Sequence, residues 1–145
     1  MNLLLDTNVL SEVRRPTPDP KVLAWLDTLD EDRAFISVAS IAELRRGIAL
    51  MDGGRRRDAL AVWLAEDLPV RFAGRIVPID PAIALLWGDL MAQARRSGFA
   101  LSVMDGFFAA TALERGLVLA TRNIKDFVSL GVTLLDPWSE EGAPE

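Results

Sequence analysis

Acidic side chains recur in this sequence where predicted strands end or where a neighbouring helix begins. Asp6 directly follows the apolar stretch "NLLL", Glu43 comes a few residues after "AFISV", and Asp105 opens the helix that precedes "LVLAT". Loops after parallel strands open on the same edge of a sheet, so these carboxylates can converge if their strands are neighbours. A bound cation makes such a cluster tolerable, and oxygen ligands favour Mg²⁺ or Mn²⁺. The pattern therefore indicates a candidate hard-cation site.

A second interpretation of the same acids is structural, because Asp, Asn and Ser are the residues that cap helices. A serine followed three residues later by an acid matches a capping box, and an acid before a proline is typical of a helix start. Capping explains any single position, whereas convergence on a cation explains the set. The candidate caps are Asp6 or Asn8, Ser40 with Glu43, Asp80 before Pro81, Ser102 with Asp105, and Asn123 with Asp126.

The residue types that are absent restrict the chemistry further. The 145 residues include no histidine and no cysteine. This composition excludes Ser-His-Asp and Cys-His catalysis, a histidine general base, zinc bound by imidazole, thiolate metal sites and disulfides. Any catalysis must therefore use carboxylates, hydroxyls, amides, lysine or arginine.

The charge distribution bears on nucleic-acid partners. A net charge of −5 argues against a non-specific nucleic-acid coat. Most of the 16 basic residues are arginines, which suit bidentate contact with phosphate, although solvated helix faces explain each cluster equally well. The clusters are Arg14-Arg15, Arg45-Arg46, Arg55-Arg56-Arg57 and Arg95-Arg96.

Length and hydropathy indicate one cytoplasmic domain. No apolar run approaches the ~18 residues that a membrane span needs. The N-terminus lacks the basic segment of a secretory signal. A chain of 145 residues corresponds to a single domain. We assign this domain to residues 1–138 and expect a solvated C-terminal tail at 139–145.

Short apolar stretches alternate with helical patterns along the chain. This alternation predicts an α/β fold with a central, mainly parallel sheet of about five strands flanked by helices. The predicted strands are 2–5, 34–38, 75–79, 117–121 and 132–136. The predicted helices are 8–15, 20–29, 41–51, 55–68, 81–96 and 102–116, with a short helix through 123–130.

Four segments together carry a resemblance to a known family. They are "LLLDTNVLSE", "ISVASIAELRRGI", "SVMDGFFAATALERGLVLATRNIKDF" and "LLDPW". In this order and spacing, over nearly the whole chain, they resemble the PIN-domain ribonucleases, and most closely the VapC toxins of VapBC toxin–antitoxin modules in their FitB-like branch. The resemblance implies a PIN-like fold with a twisted sheet and helices on both faces. It also implies endonucleolytic cleavage of RNA phosphodiester bonds.

The resemblance also implies roles for individual residues. The family's three acids fall on Asp6, Glu43 and Asp105, while Asn8 and Thr121 match polar positions of the same site. Asp6 and Asp105 would hold Mg²⁺ or Mn²⁺, directly or through water, and Glu43 would complete the shell or orient the attacking water. Such an ion lowers the pKa of bound water and stabilises charge on the phosphate. Attack by water leaves a 5′ phosphate, whereas attack by the ribose 2′-OH leaves a cyclic phosphate.

One position departs from the family pattern. Relatives often carry a fourth acid just after the "TR" that follows the fourth strand, where this chain has Asn123. An amide oxygen can coordinate a metal or position a water but carries no charge, so the number of bound metals stays open. Asp126 lies three residues further on and is an alternative fourth acid, or a helix cap.

Two further functions are alternatives at this point. A phosphotransferase of the haloacid-dehalogenase type also has an acid after its first strand, but it usually has a second aspartate where this chain has Asn8. A PIN-like module that binds RNA or protein without cutting would fit the missing fourth acid.

The resemblance implies partners as well as a substrate. It implies a cognate VapB-type antitoxin, which binds DNA with one half and covers the toxin's site with the other, and a homodimer. A groove for a partner helix is one interpretation of several apolar side chains, with core burial as the alternative. The candidate groove residues are Leu23, Leu26, Trp63 and Leu64, and the candidate dimer contacts are Trp87, Leu90 and Met91.

Overall fold

A five-stranded parallel sheet forms the centre of the protein. The structure, a computed structural model, describes residues 1–139. The strand order is β3-β2-β1-β4-β5, and every pair of neighbours is parallel. The α/β prediction is therefore confirmed, while the predicted tail lies, apart from Ser139, outside the described residues. The strands are β1 (Leu3–Leu5), β2 (Ala34–Ser37), β3 (Ile76–Val77), β4 (Val118–Ala120) and β5 (Leu134–Leu135).

Helices cover both faces of this sheet. The central strand β1 is therefore buried on both sides, and its three leucines pack alternately on opposite faces. Leu4 belongs to one core cluster with Ile83 and Phe108, whereas Leu3 and Leu5 belong to a second cluster on the other face. The α-helices are α1 (Thr7–Glu12), α2 (Pro20–Thr28), α3 (Val38–Leu50), α4 (Arg55–Val62), α5 (Leu68–Arg71), α6 (Pro81–Arg96), α7 (Val103–Arg115) and α8 (Ile124–Phe127).

The topology creates a switch point beside β1. The chain adds β2 and β3 on one side of β1 and then returns to place β4 and β5 on the other side. Connections that leave neighbouring strands in opposite directions open a crevice at the carboxyl edge, where open α/β proteins bind ligands. The crevice lies between the residues that follow β1 and those that follow β4.

Several helix boundaries follow from the capping chemistry in the sequence. Asp80 Oδ1 accepts a hydrogen bond from the N–H of Ile83 (2.9 Å), and α6 spans Pro81–Arg96 as predicted. Ser102 caps α7. This helix closes at Gly116, whose φ of 64° lies in the left-handed region that glycine adopts without strain.

The start of α3 corrects one predicted cap. The hydroxyl of Ser37 accepts from the N–H of Ala39 (3.0 Å), so the helix begins at Val38. Ser40 consequently lies inside the helix, and the predicted capping box with Glu43 is wrong. Glu43 occupies the second turn of α3, with its side chain available for contacts outside the helix.

The helix predicted at 55–68 is longer and contains a wide turn. A π-helical segment, Trp63–Asp67, separates α4 from α5. Pro69 lies just beyond this segment; it has no N–H to donate and its ring disfavours a regular α-helical turn before it. The N–H of Leu68 donates instead to the carbonyl of Trp63, five residues back.

Two of the residues predicted as dimer contacts, Trp87 and Leu90, lie on α6 and pack within the chain. Leu90 is 8% exposed and belongs to the core. Trp87 stacks on Phe107 with ring centroids 5.0 Å apart, and its Nε1–H donates to the carbonyl of Val103. Leu90 and Trp87 therefore stabilise the chain itself.

Within residues 1–139, no helix has both the length and the apolar character to cross a membrane.

Candidate active site

Asp6 lies at the carboxyl end of β1, beside the switch point. Its Oδ1 accepts from the N–H of Thr7 (2.6 Å), and its Oδ2 accepts from the hydroxyl of Thr121 (2.7 Å), which follows β4. The side chain is buried, with 4% of the residue exposed. Asp6 is the N-cap of α1, as the structural interpretation expects, and it also lines a cavity.

This cavity, which we call the acid cavity, has a volume of about 430 Å³ and contains every predicted catalytic residue. The side chains of Asp6, Glu43, Asp105 and Asn123 line it together with Asn8. Residues that are far apart in the chain thus converge at one edge of the sheet. Capping alone gives no reason for this convergence.

A chain of hydroxyl groups connects Glu43 to the residue after Asp6. The hydroxyl of Thr7 donates to Glu43 Oε1 (2.7 Å), and the hydroxyls of Thr7 and Ser40 lie 2.9 Å apart. Ser40 is fully buried. These contacts link α1 to α3 and hold the Glu43 carboxylate at the cavity. Neither Thr7 nor Ser40 is among the predicted site residues, although "DTN" places Thr7 directly beside Asp6.

The acids influence one another electrostatically. Burial raises the pKa of Asp6 to about 6, hydrogen bonds from Thr121 and Thr7 oppose this rise, and the charges of Asp105 and Glu43 add to it. Burial also raises the pKa of Asp105; a hydrogen bond from Ser102 lowers it, and the charges of Asp126 and Glu43 raise it further. Mutual repulsion within the cavity favours a bound cation.

Amides and a hydroxyl form the polar frame beside β4. Asn8 Nδ2 donates to the Thr121 hydroxyl (3.4 Å), and Asn8 Oδ1 accepts from the N–H of Arg122 (3.4 Å). The N–H of Asn123 donates to the same Thr121 hydroxyl (3.0 Å). Asn123 precedes α8, but its side chain makes no capping hydrogen bond, so the predicted cap at this position is wrong.

The oxygen ligands of the acid cavity suit a hard cation, but the number of carboxylates that can bind one ion directly is limited. Within residues 1–139, no group of three or more Asp, Glu, His or Cys side chains is placed to hold one metal ion jointly. Three direct carboxylate ligands on one ion are therefore not the arrangement seen among these residues. Mg²⁺ usually takes one or two direct carboxylates and completes its shell with waters. Asp6 and Asp105 match that smaller requirement.

Besides Thr7, five residues of the acid cavity have no counterpart among the predicted site residues. They are Ser11, Glu12, Arg15, Arg122 and Trp138. Glu12 is 3% exposed; its Oε2 accepts from the N–H of Asp19 (2.8 Å) and its Oε1 from Arg15 (3.2 Å). The guanidinium carbon of Arg122 lies 5.3 Å from the centroid of the Trp138 ring. Arg122 and Trp138 are far apart in the sequence, which gives little sign of this contact.

A second cavity, which we call the apolar cavity, has a volume of about 220 Å³. Leu23, Leu26 and Trp63 line it, as the groove interpretation predicts. Leu64 is instead 5% exposed and belongs to the core. The opposite side of α1 forms part of the wall through Val9 and other apolar residues.

The fold and site together define an open parallel α/β domain whose acid-lined crevice lies at the topological switch point. The chain belongs to the PIN domain family, whose model matches residues 3–131. The predicted family resemblance is therefore confirmed.

Named relatives agree over nearly the whole chain. Toxin FitB of Neisseria gonorrhoeae is 38% identical over 138 residues, which cover 95% of this chain and 99% of the relative. VapC ribonuclease Y4jK of Sinorhizobium fredii is 39% identical over 136 residues, which cover 94% and 97%. The FitAcB crystal structure from Neisseria gonorrhoeae superposes with a TM-score of 0.87 at 38% identity, covering 94% of this chain and 98% of that chain.

Proposed function

We propose that this chain is the toxin of a type II toxin–antitoxin module and acts as a metal-dependent endoribonuclease. The observation that carries the proposal is the convergence of Asp6, Glu43 and Asp105 on one cavity at the switch point. The similar proteins named as a toxin and as a VapC ribonuclease support the same activity. Their names favour cleavage over the alternative of RNA or protein binding without cutting.

The proposed roles follow from the chemistry of each donor. Asp6 and Asp105 would hold Mg²⁺ or Mn²⁺, and such an ion would supply an activated water and stabilise phosphate charge. Hydrogen bonds from the hydroxyl of Thr121 and the N–H of Thr7 orient the carboxylate of Asp6. Thr7 holds Glu43 at the cavity, where the carboxylate orients the attacking water. Asn123 contributes an uncharged oxygen or amide at the rim.

Asn8 separates this proposal from the phosphotransferase alternative. Its amide uses both functions, because Nδ2 donates to Thr121 and Oδ1 accepts from the N–H of Arg122. An ionised carboxylate has no donor and cannot make the first of these bonds. The position is therefore suited to an amide and does not supply the second aspartate of that enzyme class.

The first experiment measures cleavage of a fluorogenic RNA by Asp105→Asn, with Asp89→Asn as the matched control. Asp89 is an exposed carboxylate on α6 outside the acid cavity. We expect Asp105→Asn to lose activity by a factor of about 100 or more, since it removes a metal ligand and a charge. Asp89→Asn should keep full activity.

Metal removal provides a second readout of the same proposal. EDTA should abolish cleavage by the wild-type chain, and Mn²⁺ or Mg²⁺ should restore it. Full activity of folded Asp105→Asn, or cleavage that persists in EDTA, would contradict the proposal. An inactive wild type that still binds RNA or a partner tightly would instead support the binding-module alternative.

The apolar cavity supplies the proposed surface for a cognate antitoxin. Similar solved structures include FitAB bound to an IR36 DNA fragment, at 36% identity and a TM-score of 0.87. We propose that an antitoxin helix places its apolar face against Leu23, Leu26 and Trp63, the helix-in-groove mode of recognition. A homodimer of the toxin would carry two such sites.

A further inference from the structure

The arginines of the acid cavity differ in how their charges are balanced. Arg15 forms an ion pair with the buried Glu12 (3.2 Å). Arg122 lines the same cavity, and in the part of the chain that the structure describes its guanidinium forms no ion pair with an acid. Among residues 1–139, Arg122 therefore brings a positive charge without a paired acid to the rim of a site that is otherwise rich in carboxylates.

Two contacts fix the position of Arg122. Its backbone N–H donates to Asn8 Oδ1 (3.4 Å), and the preceding residue, Thr121, donates to Asp6. At the other end of the side chain, the guanidinium lies over the Trp138 ring at 5.3 Å. Stacking on an aromatic ring holds the planar guanidinium in a defined orientation and leaves its edge N–H groups free to donate. The guanidinium of Arg122 is therefore already oriented before a ligand binds.

We propose that Arg122 binds a phosphate of the RNA strand beside the phosphate that is cleaved, and that Trp138 is the positioning residue for its guanidinium. This inference rests on the proposed function, because it specifies how the same cavity holds its substrate. A protein with a net charge of −5 and an acidic cavity repels RNA. A guanidinium that offers paired donors to a phosphate counters this repulsion at the place where it is strongest.

The test measures RNA binding in an Asp6→Asn background, so that cleavage does not remove the probe. A fluorescein-labelled single-stranded RNA is titrated at several salt concentrations, and anisotropy gives the affinity. We expect Arg122→Gln to weaken binding about tenfold and to reduce the slope of log K against log[salt] by about 0.7, the value for one lost phosphate contact on a single strand. The matched control is Arg33→Gln, an exposed arginine that lies outside the four arginine clusters and does not line the acid cavity.

The positioning role of Trp138 has its own pair of variants. Trp138→Leu removes the ring face and should weaken RNA binding several-fold, whereas Trp138→Phe keeps a ring and should retain most of the affinity. Arg122→Lys should keep the salt slope, because the charge remains, but bind more weakly, because a lysine lacks the planar donor pair. In cleavage assays, Arg122→Gln should raise KM about tenfold with kcat within about twofold, the pattern of lost uniform binding.

The outcomes distinguish this inference from the proposed function. An unchanged salt slope and unchanged KM for folded Arg122→Gln would overturn the inference while leaving the nuclease intact. If Arg122→Gln does not fold, an RNA affinity of Arg122→Lys equal to that of its parent would overturn it, because the planar donor pair would then contribute nothing. RNA binding that depends on Arg122, in a wild-type chain that never cleaves, would support the phosphate contact and overturn the nuclease. No RNA binding by the wild type would overturn both.

Discussion

The two cavities of this protein lie on opposite sides of one short helix, and they differ in nearly every physical property. Towards the acid cavity, α1 presents polar side chains such as Asn8 and Glu12. Towards the apolar cavity, it presents Val9 and Leu10. The first cavity holds charges that repel one another and favour a cation, whereas the second offers apolar surface that favours a partner helix.

Under the proposed function, RNA cleavage and antitoxin binding take place on separate sides of this helix. Substitutions on one side of α1 should therefore change one property and leave the other. The predictions below test this separation, beginning with the largest expected effect.

Removing the buried charge of the acid cavity should change the pH dependence of stability. Burial raises the pKa of Asp6 from 3.8 to about 6. The folded state therefore binds more protons than the unfolded state in this window, and stability falls as pH rises through it. By linkage the loss approaches about 3 kcal/mol at most, at about 1.4 kcal/mol per pKa unit. Urea unfolding without metal should show this fall in the wild type and a flatter profile in Asp6→Asn.

Metal bound in the acid cavity should restore the stability that the ionised Asp6 carboxylate costs. At pH values above the raised pKa, added Mg²⁺ or Mn²⁺ should stabilise the wild type by mass action and should stabilise Asp6→Asn much less. Identical pH profiles for the two proteins, together with equal stabilisation by metal, would show that the buried carboxylate is not the source of the effect.

A charge placed in the apolar cavity should weaken partner binding without affecting cleavage. Leu23 is 38% exposed, so Leu23→Asp costs the fold little. We expect it to weaken binding of the cognate antitoxin about thirtyfold, or about 2 kcal/mol, because a carboxylate loses its water in the groove. The control is Leu85→Asp on α6, where the leucine is 74% exposed and does not line this cavity. Equal affinities for the two variants, or a loss of RNA cleavage in Leu23→Asp, would break the separation.

The smallest effect concerns the helix that carries Asp105. A Cβ atom on Gly106 would lie 2.8 Å from Met91 Sδ and 2.9 Å from Trp87 Nε1, too close for α6 and α7 to pack as they do. Gly106→Ala should therefore lower stability by about 1 to 2 kcal/mol and displace the acid wall. Cleavage should fall while antitoxin affinity stays unchanged. An unchanged melting temperature would mean that Met91 and Trp87 move aside without cost.

The acid cavity could be predicted from the sequence to a large extent because its acids lie where an apolar strand ends or near the start of a neighbouring helix. Asp6 stands directly after three leucines, and its strand is central in the sheet. The hydroxyl contacts were harder to predict, since Thr7 and Ser40 lie 33 residues apart and meet only when α1 packs on α3. The choice between Ser37 and Ser40 as the cap of α3 also decides whether Glu43 lies in the first turn or the second.

The apolar cavity could be predicted only in part, because groove and core use the same residue types. Leu23 and Leu64 are alike in sequence context, yet Leu23 is 38% exposed and Leu64 is 5% exposed. Leu23 lines the apolar cavity, whereas Leu64 of the π-helical segment packs into the core, and Pro69 gives only a local signal of that segment. The contact of Arg122 with Trp138 likewise depends on where the chain after β5 returns to the sheet edge.

The most direct test of the account is a crystal structure of the chain soaked in Mn²⁺, with the ion located by its anomalous signal. The account predicts one ion in the acid cavity, with oxygens of Asp6 and Asp105 within about 2.2 Å or joined to it through single waters, and Glu43 at its outer side. An acid cavity without an ion at millimolar Mn²⁺, or an ion bound away from Asp6 and Asp105, would contradict it.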